Sequence, residues 1–444
     1  MNTPRGLIIA APASGSGKTV LTLGLLRALR NAGHGVTGAK AGPDYIDPAF
    51  HTAASGKPAF NLDPWAMRPD TLAGLVAGSG KSSDILIVEG VMGLFDGVHL
   101  PDRPDAGSTA DLAAMTGWPV VLVVDAAKQA ASVGALMRGF VGHRADVRVA
   151  GVIFNRVASP AHEAVLRAAT NAAAPDVQLL GSVGRNSALT VPERHLGLVQ
   201  AGEHEDLERF IEAAAQAVSD RVDIDALVAL AEPCVISGPG AAAPLLPLDQ
   251  RIAVARDAAF AFSYPVTLDG WQAAGAEILP FSPLADDAPD PSAGAIYLPG
   301  GYPELHAGTL AAADRFLGGL RGAADRGVKI FGECGGYMVL GRGLVDADGT
   351  RHAMADLLPV ETSFAQRRLH LGYRVARLHR DGPLGPAGSS FRGHEFHYAS
   401  ILDEQAEAPL FATENARGED LGDAGASAGS VCGSFIHLID RATP

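Results

Sequence analysis

Ser14-Gly15-Ser16-Gly17-Lys18-Thr19 follows a short apolar run and opens a helical pattern. Glycines at these two places let successive backbone N–H groups approach phosphate oxygens. A lysine at the helix start reaches the β- and γ-phosphates, and the next hydroxyl can bind Mg2+. Gly15, Ser16, Gly17, Lys18 and Thr19 are therefore a candidate nucleotide loop, with Pro12 standing where the usual motif has glycine. Mg2+ needs further oxygen ligands. The apolar run Asp84–Val88 ends in Glu89, with Asp96 soon after, and the segment GPDYIDPAFH adds Asp44, Asp47 and His51. Open α/β sheets bind ligands outside the carboxyl ends of their strands. Glu89 and Asp47 join Thr19 as candidate metal ligands on that ground.

A second chemistry appears far downstream. Val328–Phe331 runs into Gly332-Glu333-Cys334-Gly335-Gly336. A strand, then G-x-C-x-G, then a helix makes a sharp turn that exposes the cysteine at a helix start, where the dipole favours thiolate. The Gly335 N–H can donate to an oxyanion, and Gly301 in the turn Pro299-Gly300-Gly301-Tyr302 offers a second donor. Cys234 and Cys432 lack such flanks and read as small buried apolar residues. A cysteine nucleophile wants a histidine base. Candidates are His394 and His397 in His394-Glu395-Phe396-His397-Tyr398, and His437 in GSFIHLID; spacing alone does not choose between them.

The elements that must position these residues come next. Short β-branched runs at Leu7–Ala11, Asp84–Val88, Val120–Val124, Val149–Phe154 and Gln178–Val183 alternate with helical patterns, the first of them Lys18–Asn31. Continuous apolar strands separated by helices predict a doubly wound α/β domain around a parallel sheet. Residues 204–231 read as helix. Residues 233–249, rich in Pro, Gly and Ala, read as a linker. New strands at Ile252–Ala255, Ala295–Leu298 and Val328–Phe331 start a second α/β domain. The expected division is residues 1–232, linker 233–249, and residues 250–444.

Composition bounds the function. With Lys+Arg 35 and Asp+Glu 49 the net charge is −14, which disfavours a nucleic-acid partner. Three cysteines far apart form neither a disulfide framework nor a zinc motif. No apolar stretch reaches the ~18 residues of a membrane span, and the N-terminal run is too short for a signal peptide. A cytoplasmic protein is expected.

These motifs together carry a resemblance that covers nearly the whole chain. LPGGYPELHA (298–307), FGECGGYMVLG (331–341), RGHEFHYAS (392–400) and GSFIHL (433–438) resemble a triad-type glutamine amidotransferase domain of the cobyrinic-acid class. SGSGKT (14–19), AGPDYIDPAFH (41–51), VEGVMGLFDG (88–97) and PERHLGLV (192–199) resemble the ATP-dependent synthetase half of the same family, the cobyrinic or hydrogenobyrinic acid a,c-diamide synthases; that half is also similar to dethiobiotin synthetase. The resemblance implies that Cys334 attacks the glutamine amide, that His437 raises its nucleophilicity, and that the stretch with His394, His397 and Tyr398 lines the glutamine pocket. It implies Lys18 and Thr19 at the nucleotide, Glu89 at Mg2+, Asp44 and Asp96 near the reacting carboxylate, and Asn155 at the adenine. Related amidotransferases place Glu two residues after the histidine. Here that residue is Ile439, with Asp440 next, so either a Cys–His dyad or a displaced acid is expected.

The implied chemistry is coherent. ATP turns a corrinoid carboxylate into an acyl phosphate, and ammonia made from glutamine displaces the phosphate. The polycarboxylate substrate needs local positive charge, for which Arg367, Arg368, His370 and Arg374, and also Arg185 and Arg194-His195, are candidates. A homodimer is one assembly this reading allows. Its rivals are a cobyric acid synthase acting on other side chains, against which PERHLGLV speaks, and a partitioning-type ATPase fused to an inactive amidotransferase-like module.

Overall fold

The computed structural model describes residues 4–80, 83–186, 193–194, 197–198, 201, 206–236, 238, 243–404 and 408–442. The chain divides into two compact units, Met1–Trp65 with Pro69–Ala241 and Ala66–Arg68 with Ala242–Pro444. The division falls inside the segment expected to link the halves. Pro233, the first residue of that segment, and Glu232 just before it pair antiparallel with Arg5 and Gly6, adding a short strand to the first sheet.

In the first unit seven parallel strands run in the order Phe60–Leu62, Val36–Ala41, Ile85–Glu89, Arg5–Ala10, Val120–Asp125, Val149–Val157, Gln178–Gly184. Leu7, Ile8, Ile9 and Val120 to Val124 are all fully buried, as expected of strands covered on both faces. The helix Lys18–Asn31 starts directly at the candidate nucleotide loop. Arg27 on its buried face ties it down, with Nη1 2.9 Å from Glu208 Oε2 and Nε donating to Ala54 O at 3.0 Å. The expected helix over 204–231 is two helices, Leu207–Ser219 and Ile224–Leu230. The break has a local cause: the Asp223 side chain accepts the Ala226 N–H and starts a new helix. His195 and the side chain of Arg194 lie outside the described residues.

The second unit is more antiparallel than the sequence suggested. Its ten-stranded sheet runs Glu277–Phe281, Arg251–Ala255, Ala295–Leu298, Lys329–Glu333, Val431–Ser434, Asp420–Ala428, Pro409–Asn415, His370–Leu378, Ser390–His397, Ile436–Arg441. The first five strands are parallel and the rest antiparallel. One face packs Phe260, Phe316, Leu320, Tyr337 and Leu340, and the other packs Trp271, Tyr297, Phe331 and Phe411.

Candidate active sites

The strand Arg5–Ala10 delivers the phosphate loop. Gly15 and Gly17 both take positive φ, 77° and 92°, and a Cβ on Gly17 would lie 2.2 Å from Asn155 Nδ2, so only glycine fits there. Asn155 braces the loop from below, its Nδ2 donating to Ser16 O at 2.9 Å. Ser16 Oγ donates to Ala13 O at 2.8 Å. Lys18 is buried and its Nζ donates to the carbonyl of Met92 at 2.6 Å. Burial lowers its pKa, and Lys40 adds to that, while Glu89 opposes it.

Glu89 is the centre of the site. Its Oε1 accepts from Thr19 Oγ1 at 2.6 Å and from Lys40 Nζ at 2.9 Å, and its Oε2 lies 2.7 Å from His51 Nε2. Burial works against its charge, but Lys40 and His51 more than offset this and hold its carboxyl well below the usual range. Asp47, 2.5 Å from Lys40, is instead pushed up to about 7, chiefly by burial and by Asp44. The convergence of the Thr19 hydroxyl and the Glu89 carboxylate fits a hard cation that takes oxygen ligands. Asp44 and Asp96 have local work of their own. Asp44 Oδ1 accepts from the N–H groups of Ile46 and Asp47 at 2.8 and 3.2 Å, and the exposed Asp96 accepts from Gly93 N at 2.7 Å. Lys40 escaped the sequence reading because it sits inside a strand, away from any motif; its signal was a lone lysine within the apolar run Val36–Ala41.

The cysteine site has the expected sharp turn. Cys334 sits at φ 45°, ψ −101°, immediately after Lys329–Glu333 and before the helix Gly335–Leu340. A strained, non-glycine conformation is a mark of functional turns. Gly336 is required because a Cβ there would approach Leu298 O to 2.0 Å. The Gly335 Cα lies close to the Gly301 N–H, since a Cβ on Gly335 would sit 2.9 Å from Gly301 N. The two expected oxyanion donors therefore belong to one small region. His437 reaches the same turn, its Cε1 2.4 Å from where a Gly300 Cβ would stand. It is fully buried, and burial, then His394 and His397, lower its pKa to about 3. Burial thus keeps the imidazole neutral, and the same burial weakens it as a base.

One expectation fails. The thiol of Cys334 is not poised as thiolate: burial pushes its pKa up, the Glu304, Glu333 and Glu395 charges add to this, and only the Gly335 N–H opposes it. The helix that follows has six residues, too short to outweigh the loss of water. A base must therefore remove the proton during reaction.

His394 lies directly across the strand pair from His437, and Tyr373 packs edge-on to its ring. Burial, then the charge on Arg374, brings its pKa down to about 4. His397 stacks on Phe435 at 3.8 Å and on His370 at 4.6 Å. Tyr398 is half-buried, tilted against Phe396. His370, Glu395 and His397 group closely enough to suggest a metal site, but Glu395 already binds Arg374 at 2.7 Å and His397 at 2.8 Å. The parallel His370 and His397 rings would also have to rotate before two lone pairs met on one ion. The cluster is an ion-pair network, which takes Arg374 out of the basic run proposed for substrate, while Arg367 and Arg368 stay exposed. Glu333 and Arg68, discussed below, were also missed by the sequence reading.

Residues 7–199 match the family described as the CobQ/CobB/MinD/ParA nucleotide binding domain, and residues 251–443 match the CobB/CobQ-like glutamine amidotransferase domain. Over the full length, the chain is 57% identical to hydrogenobyrinate a,c-diamide synthase of Sinorhizobium sp, covering 98% of this chain and 99% of the relative. It is 55% identical to the protein of the same name from Rhizobium meliloti, with the same coverage, and 54% identical to that of Rhodobacter capsulatus, again over 98% and 99%. No helix among the described residues is long and apolar enough to cross a membrane.

Proposed function

The chain belongs to the family of the hydrogenobyrinate a,c-diamide synthases, and we propose that it uses ATP and glutamine to amidate the a and c carboxylates of hydrogenobyrinic acid, with cobyrinic acid as the alternative substrate. In the first unit Gly15 to Thr19 bind the triphosphate, and Asn155, which donates to Ser16 O, contacts the adenine. Thr19, Glu89 and Asp47 would hold Mg2+, which neutralises charge on the phosphates when bound. Lys18 leaves the Met92 carbonyl for the β- and γ-phosphates. Phosphoryl transfer to a substrate carboxylate, near Asp44 and Asp96, gives an acyl phosphate and ADP. Ammonia attacks its carbonyl carbon, phosphate leaves, and the amide remains.

The ammonia comes from the second unit. His437 takes the Cys334 proton as sulfur attacks the glutamine amide carbon. Gly335 and Gly301 N–H groups stabilise the oxyanion, and the leaving nitrogen takes the proton back from His437. His394, His397 and Tyr398 border the glutamine pocket. Water then cleaves the thioester to glutamate. The strained Cys334 turn, with two backbone donors beside it, is the observation that carries this half.

We place the enzyme in the cytoplasm with small-molecule partners only, glutamine, ATP and the corrinoid. A homodimer is one assembly it allows. The test is turnover of both corrinoids with ATP, Mg2+ and glutamine, read by product mass. Two successive amidations are expected on at least one of them, and an unchanged mass for both would overturn the reading.

A further inference from the structure

The strand that carries His437 is not paired with the strand that ends just before Cys334. The parallel ladder joins Lys329–Glu333 to Val431–Ser434, and Cys334 N donates to Ser434 O at 2.8 Å. At Phe435 the chain leaves that ladder, and Ile436–Arg441 pairs with Ser390–His397 at the other end of the sheet order. The nucleophile and the base thus belong to strands that separate just before the histidine.

One buried side chain spans the separation. Glu333 Oε1 accepts the N–H of Leu438 at 2.8 Å, and its other oxygen bonds the hydroxyl of Tyr297. Glu333 precedes Cys334, and Leu438 follows His437. The carboxyl, 3% exposed, therefore ties together its own strand, Ala295–Leu298 and Ile436–Arg441. The histidine's own strand offers no other acid for this work: Ile439 is apolar and buried, and the carboxylate of Asp440 is held by Arg68. A buried carboxyl without partners would cost a few kcal/mol, so its bonding to the base strand is a specific device rather than filler.

We propose that Glu333 is a positioning residue of the glutaminase site, fixing the distance between Cys334 and His437 through its bond to the Leu438 N–H. The proposal rests on the assignment of Cys334 as nucleophile and His437 as base. Misplacement by about 1 Å can cost ~10²-fold in rate, so loss of the acceptor should strike turnover rather than glutamine affinity.

The test uses the full-length protein and two shape-conserving variants. Glu333→Gln keeps an oxygen acceptor, and Glu333→Met keeps the volume without one. For Glu333→Met the expected result is a ~10- to 100-fold fall in glutaminase kcat. Its KM for glutamine should stay within about threefold, and its ammonia-dependent amidation should be untouched. Glu333→Gln should stay within about fivefold of wild type. A methionine variant with wild-type kcat would overturn the proposal, as would a glutamine variant as impaired as the methionine one. Loss of both activities in the methionine variant would show a fold determinant and also overturn it. Cys334→Ala and His437→Ala are the controls: if either keeps glutamine use, the underlying assignment fails, whatever the Glu333 variants do.

Discussion

Arg68 holds Asp440 by both carboxylate oxygens. Its backbone N–H donates to Oδ2 at 2.9 Å, and its Nε to Oδ1 at 3.0 Å, with Nη2 2.9 Å from the same oxygen. The pairing bears on the missing acid of the amidotransferase site. The register of Ile436–Arg441 against Ser390–His397 shifts at Ile439, so that Asp440 faces Arg392 while His437 faces His394. A bulge thus absorbs Ile439 and carries Asp440 to the second ladder place from the histidine, where related enzymes have Glu. Arg68 takes it there. Asp440→Asn should accordingly keep glutaminase activity within ~10-fold, far above His437→Ala, whose loss of a general base is worth ~10²- to 10⁴-fold. Arg68→Met, which removes the counter-charge of the buried Asp440 but leaves two backbone N–H donors on it, should cost about 1–3 kcal/mol of stability in urea unfolding. Equal glutaminase loss in the Asp440 and His437 variants would instead make Asp440 a working third member.

Cys334→Ala should abolish glutamine use and spare amidation driven by added ammonium. The sulfur is needed only to release ammonia, and the first unit carries the nucleotide loop by itself. Parallel assays with each nitrogen source decide it. A folded variant that loses both would contradict a division of labour.

Lys18→Ala should remove both activities, because activation of the carboxylate precedes either nitrogen source. Retained ammonia-dependent turnover would show that the loop from Gly15 to Thr19 does not hold the nucleotide. The Met92 carbonyl that engages Lys18 at 2.6 Å sits on an exposed residue, so the loss should not come from a broken core contact.

Glu89 and Asp96 should part company. Glu89→Gln removes the charge that Lys40 and His51 surround and weakens the oxygen pair with Thr19, so synthesis should fall ~10²-fold or more. Asp96 is exposed and stabilises a turn through Gly93 N. Asp96→Asn should fall by less. Steady-state kcat for both, with glutaminase measured as an internal reference, checks the order; a larger loss at Asp96 would reverse the assignment.

Much of this was legible beforehand, for physical reasons. The helix Lys18–Asn31 and the buried strands of the first unit announce themselves through period and β-branching. The turn at Cys334 does so through its flanking glycines. What stayed hidden depends on residues brought together from afar. Lys40 meets Glu89 across neighbouring strands, Glu333 meets Leu438 over a separation of 105 residues, and Arg68 meets Asp440 over 372. Part of the antiparallel half of the second unit was missed because strands such as Asp420–Ala428 are half-exposed and carry little apolar signal. The thiolate expectation failed because a short motif does not report burial, and burial decided it.

Glu333 also makes a pH prediction whose sign can be worked out. Burial raises its pKa from 4.5 to about 7, and the donors Tyr297 and Leu438 N–H reverse only part of that shift. The folded state therefore binds a proton that the unfolded chain has already released between pH 4.5 and about 7. Where the native state binds more protons, unfolding free energy falls as pH rises. The contribution is fully present below pH 4.5, is lost progressively up to about 7, and is flat beyond. Its size is on the order of 3 kcal/mol. Glu333→Gln carries no such proton. The stability difference between wild type and this variant should thus shrink, or turn in favour of the variant, as pH rises from about 5 to about 8. Urea unfolding of both proteins across that range, followed through the transition of the second unit, gives the measurement. Curves that stay parallel would show that the carboxyl is already ionised throughout, with Tyr297 and Leu438 holding the charge against its burial.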